Sequence, residues 1–244
     1  MYTKLKKIGL RFTPKWMRDR VEPIARSIIA LRYKGNEFQC NLCKYKLNSF
    51  VLLDSEDLLC PRCGSLGRTR GLWALIQSEI SGKRVLHFSP PKSLRKAIKL
   101  YGSTKRYTTS DYMGEFSADR QYNLCDIDKE ENTVDIVICF HVLEHIVEDQ
   151  QAMSELYRIL TPGGKAYIQT PFKSGEIYED QKIQSPLERK THFGQEDHVR
   201  IYSPKGLRAR LQLVGFDVEV ISQNHGKHNF HGLKEEEIII VATK

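Results

Sequence analysis

The sequence predicts an α/β protein, with a doubly wound sheet of seven strands preceded by a small module built around four cysteines. Three observations support this fold class. From Lys83 onward, short apolar runs alternate with segments of helical pattern, as in a largely parallel sheet covered by helices. Before that region, the cysteines stand in two closely spaced pairs. The 244 residues are enough to bury one full-sized core and a small accessory module.

We expect three parts: a basic amphipathic helical segment (1–35), the four-cysteine module with a linking helix (36–80) and the sheet domain (81–244). The net charge of +8 lies wholly in the first part, where ten basic residues stand against two acidic ones. No run of about 18 apolar residues is present, and no apolar stretch follows the basic start. We therefore expect a cytoplasmic protein without a membrane span or a cleaved signal.

The basic segment also carries an apolar pattern. Apolar residues recur at spacings of three and four, as on one face of a helix: Met17, Val21, Ile24, Ile28 and Leu31. Pro23 is expected to divide the segment into two helices. Such a segment can dock on its own protein with a solvated basic face, which is the commoner case. Alternatively, it can lie on a partner or on an anionic membrane surface, which would place the protein at the inner membrane.

Four cysteines form two C-x2-C pairs with sixteen residues between them: Cys40, Cys43, Cys60 and Cys63. Thiolates two residues apart can hold one ion from a tight turn, and two such pairs complete a tetrahedral shell. The spacing predicts a structural Zn²⁺ with no open coordination position. A redox pair and a lost metal site are the alternatives.

The clearest predicted strands are short apolar runs at 85–88, 106–112, 135–142, 165–172, 214–222 and 236–243. Helices are predicted at 92–101, 149–160 and 204–213. The loop between the second and third strands contains LCDI (124–127), and TPGG (161–164) is expected to end a helix. The last two strands are expected to be antiparallel.

The carboxyl ends of the strands are the expected ligand site, because ligands of such sheets bind where the winding reverses. Asp111 ends the second strand, and an acidic residue there can accept both hydroxyls of a ribose. The first strand continues into VLHFSPP (85–91), which has no glycine. No G-x-G-x-x-G follows any strand, which disfavours a nicotinamide dinucleotide.

Two stretches, DIVICFHVLEHI and MSELYRILTPGGKAYIQTPF, resemble the block from the fourth to the fifth strand of class I S-adenosylmethionine-dependent methyltransferases, which have a Rossmann-like fold. The likeness extends over residues 83–244. CPRCGSLGRTRGLW, VLHFSP and HFGQEDHVRIY resemble a bacterial subgroup with a zinc-ribbon-like N-terminal segment. Its members often accompany surface-polysaccharide and glycosyltransferase genes, and the subgroup has no settled acceptor.

The resemblance implies S-adenosylmethionine as cofactor. Asp111 would hold the ribose. Asp126 would contact the adenine amino group, with Ile127 packing on the ring. Phe140 and His141 would lie near the sulfonium.

The sequence departs from the family at the first strand, where the usual acidic-x-Gly-x-Gly turn is missing. Because this cofactor carries no phosphate, no cradle of backbone amides is required. We expect His87 and Ser89, with Phe88 between them, to contact its methionine part. Alternatively, His87 is a core histidine with one partner.

We expect an O-methyltransferase that acts on a glycan or small-molecule hydroxyl. Such an acceptor needs a base, and the candidates are His141 and His198. The segment after the fifth strand is predicted to bind the acceptor through His192, Asp197, His198, Arg200 and Tyr202. A metal site and a loop bonded to itself are alternatives for this segment. The resemblance implies that Glu144 and His145 begin the helix beyond the fourth strand of the family, and the alternative is a hydrogen-bonded pair that shapes this turn.

Two rival functions remain open. One is an RNA base methyltransferase whose zinc module and basic start bind the nucleic acid, although the chain beyond residue 35 is neutral. The other is a binding module of the same fold without activity, although Asp111 and the strand ends are intact.

Overall fold

The computed structural model describes residues 15–114, 117–224, 226 and 229–244. The predictions for residues 1–14 lie outside this range. The chain divides into two compact units. The first unit contains the residues through Gln77 together with Pro91–Ala97 and Asn224–Glu237, and the second unit contains the rest. The cysteine module, predicted as one continuous stretch, therefore shares its unit with two later segments of the chain.

The first unit begins with helix α1 (Lys15–Leu31), followed by two small antiparallel ladders and helix α2 (Gly67–Ile76). The ladders are β1 (Lys34–Gln39) with β2 (Lys46–Leu47), and β3 (Val51–Leu52) with β4 (Leu58–Leu59). One cysteine pair follows β1 and the other follows β4, so that each pair lies in a turn at the end of a ladder strand.

Helix α1 corrects two expectations. It runs through Pro23 without a break, so the prediction of two helices is wrong. Its apolar stripe is not docked: Val21, Ile24, Ile28 and Leu31 are between 52% and 67% exposed. The expectation that this face packs on the protein itself is therefore wrong. Among the described residues, no helix is long and apolar enough to cross a membrane.

The main sheet has six strands in the order β11-β12-β8-β7-β5-β6. Their bounds are β5 (Arg84–Phe88), β6 (Arg106–Ser110), β7 (Val134–Phe140), β8 (Leu160–Gln169), β11 (Asp217–Asn224) and β12 (Glu236–Thr243). The four strands from β6 to β8 are parallel, and β12 is antiparallel to β8 as expected. The winding reverses between β5 and β7, which confirms the predicted Rossmann-like α/β class.

The predicted count of seven strands is not met in the described chain. The segment before LCDI touches the sheet edge beside β6 through one isolated bridge, Ser110 to Arg120, so it forms no strand. TPGG also differs from expectation, since β8 already begins at Leu160 and includes these residues. The register between β7 and β8 shifts there, between Val134 and Ile136.

Helices follow the strands along the chain: α3 (Lys92–Tyr101), α4 (Asp149–Ile159), α5 (Pro186–Phe193) and α6 (Pro204–Val214), with a 3₁₀ turn at Leu143–His145. A short ladder pairs β9 (Tyr178–Glu179) with β10 (Arg200–Ile201). Helix α5 was not predicted, although Ser185 and Glu188 form a capping box with Pro186 at the first turn. The core of the second unit packs α4 and α6 against the sheet, with Leu156, Leu207 and Ile168 fully buried.

Candidate active site and four-cysteine cluster

Two neighbouring strands end in residues with left-handed backbone. Ser89 follows β5 with a φ of 45°, and His141 follows β7 with a φ of 55°. Non-glycine residues rarely adopt this conformation, and such strain is concentrated at functional sites. The Ser89 amide donates to the Ser110 carbonyl oxygen at 2.8 Å. Ser89 thus makes, without glycine, the turn for which related sheets use glycine.

The Asp111 carboxylate lies beside this turn. Asp111 follows β6 and is only 3% exposed. The Ser89 hydroxyl donates to Asp111 Oδ1 at 2.9 Å. Two residues that were predicted separately, from different strands, are therefore in direct contact. The hydroxyl holds the carboxylate at the carboxyl edge of the sheet, where a ribose would be bound.

Several buried polar atoms at the same edge have no hydrogen-bond partner among the described residues: His87 Nε2, His141 Nε2, Gln169 Oε1 and Thr170 Oγ1. They belong to residues at the ends of the adjacent strands β5, β7 and β8. Buried polar atoms are nearly always satisfied, so a group of them indicates a polar ligand. Gln169 and Thr170 were not predicted, although their place at the end of a parallel strand could have identified them.

His87 has features of both predicted roles, a contact of the cofactor and a core histidine with one partner. Its Nδ1 atom is 2.9 Å from the Tyr107 hydroxyl, and its side chain is fully buried. Burial lowers the pKa of His87 to about 3, so the ring is neutral. The partner is thus a side chain rather than the backbone, and Nε2 is left for a ligand.

The other predicted cofactor residues differ in how far their side chains are buried. Phe88 and Ile127 lie in the hydrophobic core, 4% and 2% exposed. The Ile127 amide donates to Glu155 Oε2 at 2.8 Å. Asp126 is exposed, and Phe140 is half-buried at the end of β7. Contact of these four residues with a cofactor stays a prediction.

A cluster of histidines and a carboxylate follows β7. Glu144, in the 3₁₀ turn, is 1% exposed, and neither of its oxygens has a hydrogen-bond partner. The His141 ring lies beside it, with Nδ1 3.4 Å from Glu144 Oε1. Glu144, His145 and His198 each bring one possible ligand atom within 4.8 Å of the others. Burial, followed by the charge of His145, lowers the pKa of His198.

Asp197 and His198 join this cluster, since Asp197 Oδ2 is 3.1 Å from His145 Nδ1. His192 does not join it. Its ring is exposed at the end of α5, where Nδ1 is 2.6 Å from the Tyr178 hydroxyl. The predicted acceptor segment is therefore only partly assembled beside β7.

Arg200 and Tyr202 make contacts within the protein, and their role as acceptor contacts stays a prediction. The Arg200 guanidinium is buried and donates to Glu179 Oε2 at 2.8 Å, to the Val147 carbonyl oxygen at 2.8 Å and to the Ile146 carbonyl oxygen. Tyr202 is fully buried, and its hydroxyl donates to Asp149. These bonds tie the segment at β10 to the turn before α4 and to its first residue.

The four cysteines converge as predicted. Cys40 Sγ lies 3.7 Å from Cys63 Sγ, and Cys43 Sγ lies 3.8 Å from Cys60 Sγ. All four sulfurs are within 4.8 Å of one another. A tetrahedral S₄ shell with Zn–S bonds of about 2.3 Å places neighbouring sulfurs roughly 3.8 Å apart. A disulfide would require about 2.05 Å. The sulfur positions fit four-coordinate zinc and exclude cystine.

The two cysteine turns have the same backbone geometry. The Lys44 amide donates to the Cys40 carbonyl oxygen at 2.8 Å, and the Gly64 amide donates to the Cys60 carbonyl oxygen at 2.9 Å. Lys44 and Gly64 have left-handed φ angles of 60° and 74°. The second turn therefore contains the glycine that this conformation favours, and the first forms without one.

Arg70 supports the cysteine cluster and was not identified from sequence. It is fully buried, and it donates to the carbonyl oxygens of Ser65 at 2.6 Å, Leu58 at 2.8 Å and His231 at 2.7 Å. Burial lowers the pKa of Arg70, while the neighbouring cysteines raise it. The guanidinium thus joins the loops around the cysteines and offsets thiolate charge.

Comparison with known proteins identifies the family of the sheet domain. A family model described as a methyltransferase domain matches residues 71–221. A Mycolicibacterium smegmatis protein named "Probable S-adenosylmethionine-dependent methyltransferase" is 31% identical over 100 residues, which is 41% of this chain and 35% of that protein. The match thus spans about a third of that relative's length.

Two solved structures are similar in fold. Phosphoethanolamine N-methyltransferase 2 of Haemonchus contortus, solved with S-adenosylhomocysteine, has a TM-score of 0.50 and 17% identity, covering 73% of this chain and 53% of that chain. An S-adenosylmethionine-dependent methyltransferase of Thermotoga maritima has a TM-score of 0.48 and 14% identity, covering 73% and 90%.

Proposed function

This chain belongs to the class I S-adenosylmethionine-dependent methyltransferases, and we propose that it methylates a hydroxyl group of a glycan or small molecule. The observation that carries the choice of a hydroxyl is the pair of His141 and the buried Glu144, directly after β7. A hydroxyl acceptor must lose a proton during transfer, and this pair is suited to remove it.

The cofactor is proposed to bind along the ends of β5, β6 and β7. Asp111, held by Ser89, would accept hydrogen bonds from both ribose hydroxyls. The unpartnered Nε2 of His87 lies at the end of β5, where the methionine part would be. When bound, S-adenosylmethionine supplies a methyl carbon on a sulfonium, and the C–S electron pair stays on the sulfur that leaves.

His141 is the proposed base. Its Nε2 is buried without a partner, and its Nδ1 faces Glu144 Oε1 at 3.4 Å. Nε2 accepts the hydroxyl proton as the oxygen bonds to the methyl carbon. The Glu144 carboxylate stabilises the resulting imidazolium. Because displacement is in line, most of the acceleration comes from holding the acceptor oxygen about 3 Å from the methyl carbon.

The four cysteines are proposed to hold one structural Zn²⁺. The sulfur separations of 3.7 and 3.8 Å and the paired turns support this assignment. A four-sulfur shell leaves no open position, so the ion would stabilise the first unit and take no part in the chemistry.

The acceptor class is tested with S-adenosylmethionine carrying a labelled methyl group, offered with surface glycans, nucleotide sugars and RNA. We expect label in a glycan or sugar as an O-methyl group, identified by mass spectrometry and NMR. His141→Ala should reduce kcat by about 10²- to 10⁴-fold, the usual contribution of a general base. Binding of S-adenosylhomocysteine should stay within a few-fold of wild type.

Glu196→Gln is the matched control, because Glu196 is exposed and pairs with Lys190 at 2.9 Å. It should leave kcat unchanged. Label in RNA alone would replace the proposal with the RNA alternative. Full activity of His141→Ala would remove His141 as the base.

A further inference from the structure

We propose a second metal site, formed by Glu144, His145 and His198, that takes a divalent first-row transition ion. The three residues come from two segments more than fifty positions apart. They are joined by the Val199 amide, which donates to the Glu144 carbonyl oxygen at 2.9 Å. The possible ligand atoms already lie within 4.8 Å of one another.

Each histidine has an acceptor at Nδ1. His145 Nδ1 is 3.1 Å from Asp197 Oδ2, and His198 Nδ1 is 3.3 Å from the Phe193 carbonyl oxygen. Metal-binding histidines commonly donate their other ring N–H to a carboxylate or a carbonyl, which fixes the tautomer. Here these partners assign the proton to Nδ1 and leave the Nε2 lone pair of each ring for an ion.

The buried Glu144 carboxylate supports the metal site independently of the two histidines. Its side chain is 2% exposed, yet neither oxygen has a hydrogen-bond partner. A buried carboxylate without hydrogen bonds is costly, and a bound cation would satisfy it. One oxygen can bind the ion while the other faces His141.

The donor set indicates the class of ion. Two imidazoles and one carboxylate are the ligands of catalytic zinc sites that keep an open position, and imidazole also suits copper, iron and nickel. Magnesium and calcium prefer all-oxygen shells, so they are not expected. An open position beside His141 could receive the acceptor oxygen and lower its pKa, a role that rests on the proposed hydroxyl acceptor.

Metal content provides the test. The full chain is saturated with Zn²⁺, freed of excess ion and analysed for zinc per chain. We expect His198→Ala and His145→Ala each to hold one ion fewer than wild type, and Glu196→Gln to hold the wild-type number. Asp197→Asn keeps all three ligands but should weaken Zn²⁺ binding by about 10- to 100-fold, as loss of an outer-shell partner does.

Cobalt separates the two sites, because a four-thiolate site gives sulfur-to-metal absorption and the histidine site does not. His198→Ala should retain the thiolate bands and lose the additional ion. An equal metal content in wild type and all three cluster variants would overturn the proposal. If the ion binds but no hydroxyl is methylated, the metal site stands and the proposed function fails.

A different observation supports a second inference: we propose that α1 lies on an anionic lipid surface. Its apolar stripe is exposed, with Ile24 at 62% and Ile28 at 65%. Another part of the helix is fixed to its own unit, since Arg62 donates to Ser27 Oγ and the Tyr45 hydroxyl donates to the Ala30 carbonyl oxygen at 3.0 Å. These contacts hold the stripe outward.

The positive charge of residues 1–35 indicates that an anionic surface covers the apolar stripe of α1. The whole net charge of +8 belongs to residues 1–35, and the rest of the chain is balanced. An exposed apolar stripe within a basic segment is complementary to anionic headgroups above acyl chains. A soluble partner would account for the stripe but does not require this concentration of positive charge.

Vesicle sedimentation tests this inference. The full chain should bind phosphatidylglycerol-containing vesicles at least tenfold more tightly than phosphatidylcholine vesicles, and added salt should weaken binding. The double variant Ile24→Glu with Ile28→Glu should lose this binding. Leu213→Glu, which changes an 84% exposed leucine on α6, should retain it. The inference would be overturned if the double variant bound vesicles as tightly as the wild type does. It would also be overturned if the wild type formed a dimer instead of binding vesicles and the double variant abolished that dimer.

Discussion

Asp111→Ala should weaken the binding of S-adenosylhomocysteine by about 100-fold or more. The carboxylate is 3% exposed and is proposed to accept two hydrogen bonds from the ribose hydroxyls. Hydrogen bonds to a charged group contribute about 1.5 to 3 kcal/mol each, and every 1.4 kcal/mol is a factor of about ten in affinity. Calorimetric titration of the wild type and the variant measures the difference.

Two further variants refine this prediction. Ser89→Ala should weaken binding by a smaller factor, because it removes only the hydroxyl that holds Asp111 Oδ1 at 2.9 Å. Asp217→Asn, an exposed carboxylate at the start of β11, should bind like wild type. Wild-type affinity in Asp111→Ala would show that the ribose is held elsewhere.

Cys60→Ser should abolish zinc binding at the four-cysteine cluster and destabilise the first unit. Cys60 is fully buried, and strands β1 to β4 of its unit form short two-stranded ladders. Structural zinc contributes about 10 to 16 kcal/mol of apparent binding free energy in small zinc domains, which exceeds the stability of most domains. The variant should contain one zinc fewer, and limited proteolysis should cleave it rapidly between residues 35 and 66.

Cys125→Ser is the control, since Cys125 is half-buried and lies outside the cluster. It should retain the wild-type zinc content and protease resistance. Unchanged zinc content in Cys60→Ser would show that the cysteines hold no metal, and unchanged protease resistance would show that the ion is not needed for folding.

The features predicted correctly from sequence are mostly local ones. The cysteine cluster follows from spacing within two turns, and the parallel strands follow from apolar runs such as the one at 135–142. The position of Asp111 directly after β6 follows from the same pattern, and its contact with a ribose stays a prediction. The helix α5 was missed because its pattern is polar, although the capping box at Ser185 marks its start.

The errors involve contacts between distant segments. The contacts of the Arg200 guanidinium with Glu179 and with the carbonyl oxygens of Ile146 and Val147 were not visible in the sequence. The exposed stripe of α1 was predicted to be docked because periodicity shows that a face is apolar but not what covers it. The predicted seventh strand is absent from the described sheet, where the segment before LCDI makes one isolated bridge to Ser110.

The binding place of the methyl donor is tested most directly by an NMR titration of the ¹⁵N-labelled full chain with S-adenosylhomocysteine. We expect the largest shift changes at the amides of Ser89, Asp111 and His141, with one ligand bound per chain, and little change at His192. Shift changes confined to the cleft that Arg189 and Arg210 line, with none at Ser89 or Asp111, would contradict binding at the strand ends.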